Sequence, residues 1–139
     1  MKSLVIPLAG LLLLYLASGG LCRGCGVLTP CHSANITVTY TAVDGVSQTF
    51  RDSILVTVPQ NSFFFNVMEA ARDKNPSKFN FTYTLSVWGA YITSVQGLQA
   101  NNAQRTYWQL LSNNVPLKLG AGCYAVSRGE RLEVRLSKY

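Results

Sequence analysis

The sequence predicts an α+β domain of mostly antiparallel β-sheet with a single packed α-helix, in a β-grasp-like arrangement. Three observations carry this. Ile36, Val38 and Tyr40 alternate with threonines, and a longer period-two run takes in Phe79, Phe81, Tyr83, Leu85 and Val87. Between these runs, Phe64, Val67, Met68 and Ala71 recur at helical spacing. After them the pattern returns to strands up to the C-terminus. At 139 residues the chain is long enough for one domain with one core.

The N-terminus reads as a targeting segment. Lys2 precedes an apolar run from Leu4 to Leu16, and the small residues Ala17 to Gly20 follow. That order describes a secretory signal peptide over residues 1–20. The run is short for a membrane span. The mature domain is then expected over residues 21–139, secreted and extracellular, with no later segment that could span a membrane. Cys22, Cys25, Cys31 and Cys123 make an even set, which in that compartment favours two disulfides with three connectivities open. Cys22-Arg23-Gly24-Cys25 has redox-motif spacing, but no βαβ pattern surrounds it. Zinc held with His32 is disfavoured by an oxidising compartment, so no metal site is expected. Asn35-Ile36-Thr37 and Asn80-Phe81-Thr82 are N-glycosylation acceptors, expected at Asn35 and Asn80 on exposed strand faces.

Each further element has a local reason. Asp44-Gly45 is a hairpin signal, with Val46 to Phe50 as the return strand. Ile54, Val56 and Val58 form a third strand closed by Pro59. Ser62 is placed to cap the helix, and Asn75-Pro76 ends it. Trp88-Gly89 interrupts the long alternation, as a bulge or bend would. Tyr91 to Val95 and Tyr107 to Leu111 continue as strands, and Asn113-Asn114 turns the second. Tyr124 to Val126, the Arg128-Gly129 turn and Leu132 to Leu136 suggest a C-terminal hairpin.

The formal charge of +6 is scattered, with no basic run or stripe, so nucleic acid is not an expected partner. Catalysis lacks its usual parts. The one histidine adjoins a cysteine, no serine sits at a nucleophile elbow, and no glycine-rich phosphate loop occurs. Glu130 and Glu133 flank the C-terminal turn, where a solvated face explains them. A non-enzyme without a catalytic cofactor is expected. Binding has better support. Trp88, Tyr91, Tyr107 and Trp108 lie near Gly89 and Gly97, which let a backbone approach a ligand closely. Gln109, Ser112, Asn113 and Asn114 add neutral polar groups. An apolar wall with a few neutral donors and acceptors suits a large, flat organic ligand. Core packing explains both tryptophans equally well.

The residues that carry this site also resemble a known family. Ile36 to Tyr40, Val67 to Ala71, Lys74-Asn75-Pro76, Trp88-Gly89, Thr106 to Ser112 and Pro116-Leu117 are similar to the C-terminal β-domain of the vitamin B12 carriers intrinsic factor, haptocorrin and transcobalamin. The similarity covers nearly the whole mature chain. It implies a transcobalamin-like C-terminal domain that covers one face of cobalamin, a transported ligand rather than a catalytic cofactor. The implied contacts are Val87, Trp88, Gly89, Ala90, Tyr91 and Ile92 in one segment. In the other they are Trp108, Gln109, Leu110, Leu111, Ser112, Val115, Pro116 and Leu117. Two departures accompany the resemblance. Only the signal-like and cysteine-bearing stretches precede Ile36, where the family carries its helical domain. Cys123 is foreign to the pattern. The alternative on the same fold is an extracellular interaction or signalling protein that has lost the corrinoid, with a protein partner or receptor.

Overall fold

A computed structural model describes residues 34–87 and 89–139, together with the backbone of two short paired strands, β1 (Leu21–Arg23) and β2 (Leu28–Pro30). The expectations for residues 1–20, for His32, for the side chains of Cys22, Cys25 and Cys31, and for Trp88 lie outside the described residues. The main sheet joins β3 (Asn35–Asp44), β4 (Arg51–Pro59), β8 (Thr106–Ser112), β9 (Val115–Pro116) and β10 (Arg131–Lys138). Its spatial order is β4-β3-β10-β8-β9. Only the central β3–β10 pair is parallel. A second, antiparallel sheet joins β5 (Phe81–Ser86), β6 (Gly89–Val95) and β7 (Leu98–Gln99). The architecture is therefore α+β, as the sequence predicts.

The alternation in β3 works as expected. Ile36, Val38, Tyr40 and Ala42 are buried on one face. On the other, Thr37 and Thr41 exchange hydroxyl hydrogen bonds with Thr57 (3.0 Å) and Ser53 (2.7 Å) across the β3–β4 ladder. Helix α1 (Phe64–Lys74) lies on the buried face. Its Phe64, Val67, Met68 and Ala71 are fully buried, each large side chain contributing about 2 kcal/mol. A short helix, α2 (Pro76–Phe79), follows the break at Asn75-Pro76 and buries Phe79. Among the described residues no helix is long and apolar enough to cross a membrane.

Ser62 does not cap α1. Its hydroxyl donates to the Pro59 carbonyl (2.6 Å), while the Asn66 side chain accepts from the Phe63 amide (2.8 Å). The free amides of the first turn are taken by a distant segment. Phe64 N–H donates to the Tyr124 carbonyl and Phe65 N–H to the Ala121 carbonyl, both at 2.9 Å. This is why Tyr124 to Val126 is not the strand of a hairpin. Only Ala125 bridges, to Phe63, because the segment is committed to the helix start. The strand after it, β10, runs instead between β3 and β8.

The expected return strand Val46 to Phe50 is a loop. Asp44 is 1% exposed, and its carboxylate accepts from the amides of Val46, Ser47 and Thr49 and from the Thr49 hydroxyl. Amides drawn to that carboxylate cannot serve a ladder, so the return begins at Arg51 and the expected third strand is the one that pairs with β3. The loop also needs Gly45. A Cβ there would sit 2.7 Å from the Leu136 carbonyl oxygen and 2.8 Å from Arg135 Cγ. β5 and β6 pair as a hairpin, with Ser86 opposite Gly89. Gly89 has φ +101, which favours glycine. The irregularity expected there falls between Thr82 and Tyr83. The hairpin runs out beyond the core, so Leu85 and Val87 are 81% and 92% exposed despite their apolar phase.

The β4 edge of the main sheet is guarded. Lys74 Nζ donates to the Leu55 carbonyl (3.1 Å), Lys78 pairs with Asp52 (3.3 Å), and the strand ends in Pro59.

Two polar groups in this fold give opposite expectations. The Tyr40 hydroxyl is buried without a hydrogen-bond partner, and burial raises its phenol far above the ordinary value. Tyr40→Phe should therefore keep the fold and raise stability in urea unfolding by about 1 kcal/mol. Burial pushes the Asp44 carboxyl up, but its Thr49, Ser47 and Val46 hydrogen bonds outweigh that and hold it below the ordinary 3.8. Its contribution should be complete above that value and be lost as pH falls through the lower folded value. Asp44→Ala should cost about 3 kcal/mol at neutral pH and flatten the acid limb of a stability–pH curve.

Candidate ligand groove

The groove arises from an unpaired strand edge. Along one side β8 pairs with β10 over its whole length. Along the other, β9 covers only Leu111 and Ser112. The Asn113-Asn114 turn joins β8 to β9 with both residues left-handed, φ +49 and +68, which asparagine tolerates. After β9, Leu117 N–H donates to the Leu110 carbonyl (2.8 Å), and the chain then leaves the sheet. Between this departing segment, the β8 edge and the β5–β6 hairpin lies a cavity of about 240 Å³. The hairpin lines it with Ser86, Ala90, Tyr91 and Ile92. The β8 wall is Tyr107, Trp108, Gln109 and Leu110, and the third wall is Leu117, Lys118, Leu119 and Gly120.

The two segments singled out in the sequence thus meet across one groove. Ala90, Tyr91, Ile92, Trp108, Gln109, Leu110 and Leu117 line it. Val87 stands on the exposed hairpin tip, and Val115 and Pro116 are exposed beside the third wall. Leu111 is buried, and neither it nor Gly89 belongs to the lining. Ser112 is buried and engaged elsewhere. The contact segment expected from the sequence ended at Leu117 and so missed Lys118, Leu119 and Gly120. It also missed Ser86. An apolar-basic-apolar triplet directly after a strand was the available signal for the third wall.

Trp108 has a structural role as well as a place in the lining. It is 4% exposed, its indole N–H donates to the Leu98 carbonyl (3.2 Å), and its ring stacks on Phe50 at 6.4 Å between centroids. Only part of it can meet a ligand. Tyr91 and Leu119 are 49% and 54% exposed and present the larger free surfaces.

A buried polar cluster ties the segment that follows the third wall to β8. Glu130 is buried, contrary to the expectation of a solvated face. Its carboxylate accepts from the Ser112 hydroxyl, the Tyr124 hydroxyl and the Ser127 amide. Burial raises the Tyr124 phenol, and the hydrogen bond to Glu130 raises it further. Glu133 is half-buried and pairs with Arg135 at 2.6 Å. Cys123, three residues past Gly120, is disulfide-bonded. Asn35 and Asn80 are both exposed, Asn80 at the end of α2 rather than on a strand face. Among the described residues no group of three or more His, Cys, Asp or Glu side chains could hold a metal.

This geometry separates stability from binding. Trp108→Ala should lower unfolding stability by about 3–5 kcal/mol, whereas Tyr91→Ala should stay within about 0.5 kcal/mol of the parent. Thermal or urea unfolding of the two variants checks this, and it makes Tyr91 the better probe of the groove.

Comparison with known proteins places these features in context. Residues 61–138 match the family described as Domain of unknown function (DUF4430). Over 113 residues the chain is 47% identical to Transcobalamin-1 of Homo sapiens, covering 81% of this chain and 25% of that protein. It is 34% identical over 113 residues to Cobalamin binding intrinsic factor of Homo sapiens, covering 79% and 27%. The crystal structure of haptocorrin in complex with Cbi superposes with a TM-score of 0.71 at 46% identity, over 78% of this chain and 26% of that one. A protein from Ruminococcus gnavus shares the fold at 16% identity and a TM-score of 0.55, over 75% of this chain and 98% of that one. The chain spans about a quarter of the length of the curated relatives it matches.

Proposed function

From a chain that belongs to the DUF4430 family and matches the C-terminal domain of transcobalamin, intrinsic factor and haptocorrin, we propose a secreted, non-enzymatic corrinoid-binding protein. One observation carries this reading: both segments implied by the resemblance contribute to a single groove whose walls are apolar and neutral polar except at Lys118. The relatives are named for cobalamin, and one solved relative holds Cbi. Tyr91, Leu117 and Leu119 offer surface to the edge of a broad ring, and Gln109, whose Oε1 accepts from the Ser137 hydroxyl (3.2 Å), offers its amide nitrogen to a polar substituent. Trp88 and Gly89 belong to the same proposal through the resemblance alone.

The size of the groove sets the mode. At about 240 Å³ it is smaller than the roughly 300–1,000 Å³ of pockets that enclose a drug-sized ligand. It therefore covers one side of a corrinoid and does not engulf it. Secretion, glycosylation at Asn35 and Asn80, and pairing of Cys123 with the N-terminal cysteines belong to the same proposal. They are supported by the apolar leader, the exposed acceptors and the bonded state of Cys123.

A second reading has its own observation. Leu85, Val87, Val115 and Leu119 are all more than half exposed around the hairpin tip and the third wall, and apolar residues so placed suit a protein partner. That partner would be either a receptor on a domain that has lost the corrinoid or a separate subunit that covers the ligand's other face.

Titration of the mature protein with cobalamin separates the readings. The expected outcome is a saturable change in corrin absorbance and tryptophan fluorescence, weakened about five- to tenfold by Tyr91→Ala. No change up to high micromolar cobalamin overturns the corrinoid reading. A partner that co-purifies equally with the parent and with Tyr91→Ala supports the second. Gel filtration with and without corrinoid shows whether a separate subunit assembles on the ligand.

A further inference from the structure

The charge distribution around the groove is lopsided. Eleven of its twelve lining residues are apolar or neutral polar, and the exception is Lys118. None of the six acidic residues of the chain lines it, and neither does any arginine. Lys118 is exposed and engages no described residue by hydrogen bond or ion pair. It sits between Leu117 and Leu119, which line the same wall. A lysine so placed can lay its methylene stem along an apolar wall and keep its ammonium in water at the edge. An unpaired cation on an otherwise uncharged wall complements a ligand that is broad, largely uncharged and marked by one anionic group.

We propose that Lys118 recognises the phosphodiester of a complete corrinoid and so distinguishes it from a corrinoid that lacks the phosphate. The inference rests on the corrinoid reading of the groove and sharpens it to a ligand class. Cobalamin carries a single phosphodiester on the side arm that leads to its nucleotide base, and cobinamide ends before that group. Both share the ring that the apolar walls would cover. Lys118 therefore acts on one ligand and is indifferent to the other. The ion pair forms at a solvent-accessible edge, so its effect is modest and is screened by salt.

The test is a pair of titrations on the full mature chain, with cyanocobalamin and dicyanocobinamide, repeated for Lys118→Gln and Lys118→Arg. At low ionic strength the parent should prefer cyanocobalamin by about fivefold, and 1 M salt should reduce that preference to less than about twofold. Lys118→Gln should abolish the preference while leaving the cobinamide affinity within about twofold, and Lys118→Arg should keep it. Equal affinity of the parent for both corrinoids, or an equal loss for both in Lys118→Gln, overturns the role of Lys118 and leaves the groove reading standing. Failure of the parent to bind either corrinoid overturns the groove reading itself, and the role of Lys118 with it.

Discussion

The structure depends on the placement of its last strand. β10 enters between β3 and β8, parallel to one and antiparallel to the other, and so joins two halves of the chain into one sheet. Leu132, Val134 and Leu136 complete the buried face that α1 covers. The same pairing uses one edge of β8 in full and leaves the other free for the groove. A parallel pair between strands this far apart in sequence is a long-range contact, and its loop-closure cost is met only when the whole core assembles.

Two buried carboxylates organise the irregular parts around that sheet. Asp44 gathers four donors and turns a stretch of strand-forming residues into a compact loop. Glu130 gathers the Ser112 and Tyr124 hydroxyls and the Ser127 amide, which ties the segment after the third groove wall to β8. In both cases local donors around one acceptor prevail over strand propensity, since a buried carboxylate without them would be far costlier than a shortened ladder. The helix start follows the same logic with carbonyls from residues 121 and 124 as its acceptors.

What was legible in the sequence was whatever repeats with a short period. Ile36, Val38 and Tyr40, and Phe64, Val67, Met68 and Ala71, announce their buried faces through spacing alone. What was hidden depends on partners remote in the chain. Val46 to Phe50 has strand composition, and nothing local shows that Asp44 will be buried. Tyr124 to Val126 looks like half a hairpin until the α1 amides claim its carbonyls. Tyr83, Leu85 and Val87 keep the phase of a buried strand, yet their hairpin projects past the core. For the groove, the two main segments were recognisable as a family pattern, and the third wall was not, because the chain leaves the sheet after Leu117 and only the tertiary fold sets residues 118–120 across from the hairpin. Trp108 illustrates the limit of composition: an indole can belong to the core and still lend one side to a groove.

The guarded β4 border gives the molecule a direction. A lysine amine on the Leu55 carbonyl, an ion pair at Asp52 and a closing proline all discourage another chain from continuing the sheet there. Edge-to-edge pairing into fibrils or swapped dimers is thus opposed on one flank of the domain. The opposite flank, with its oily hairpin tip and open β8 border, carries no such guard among the described residues.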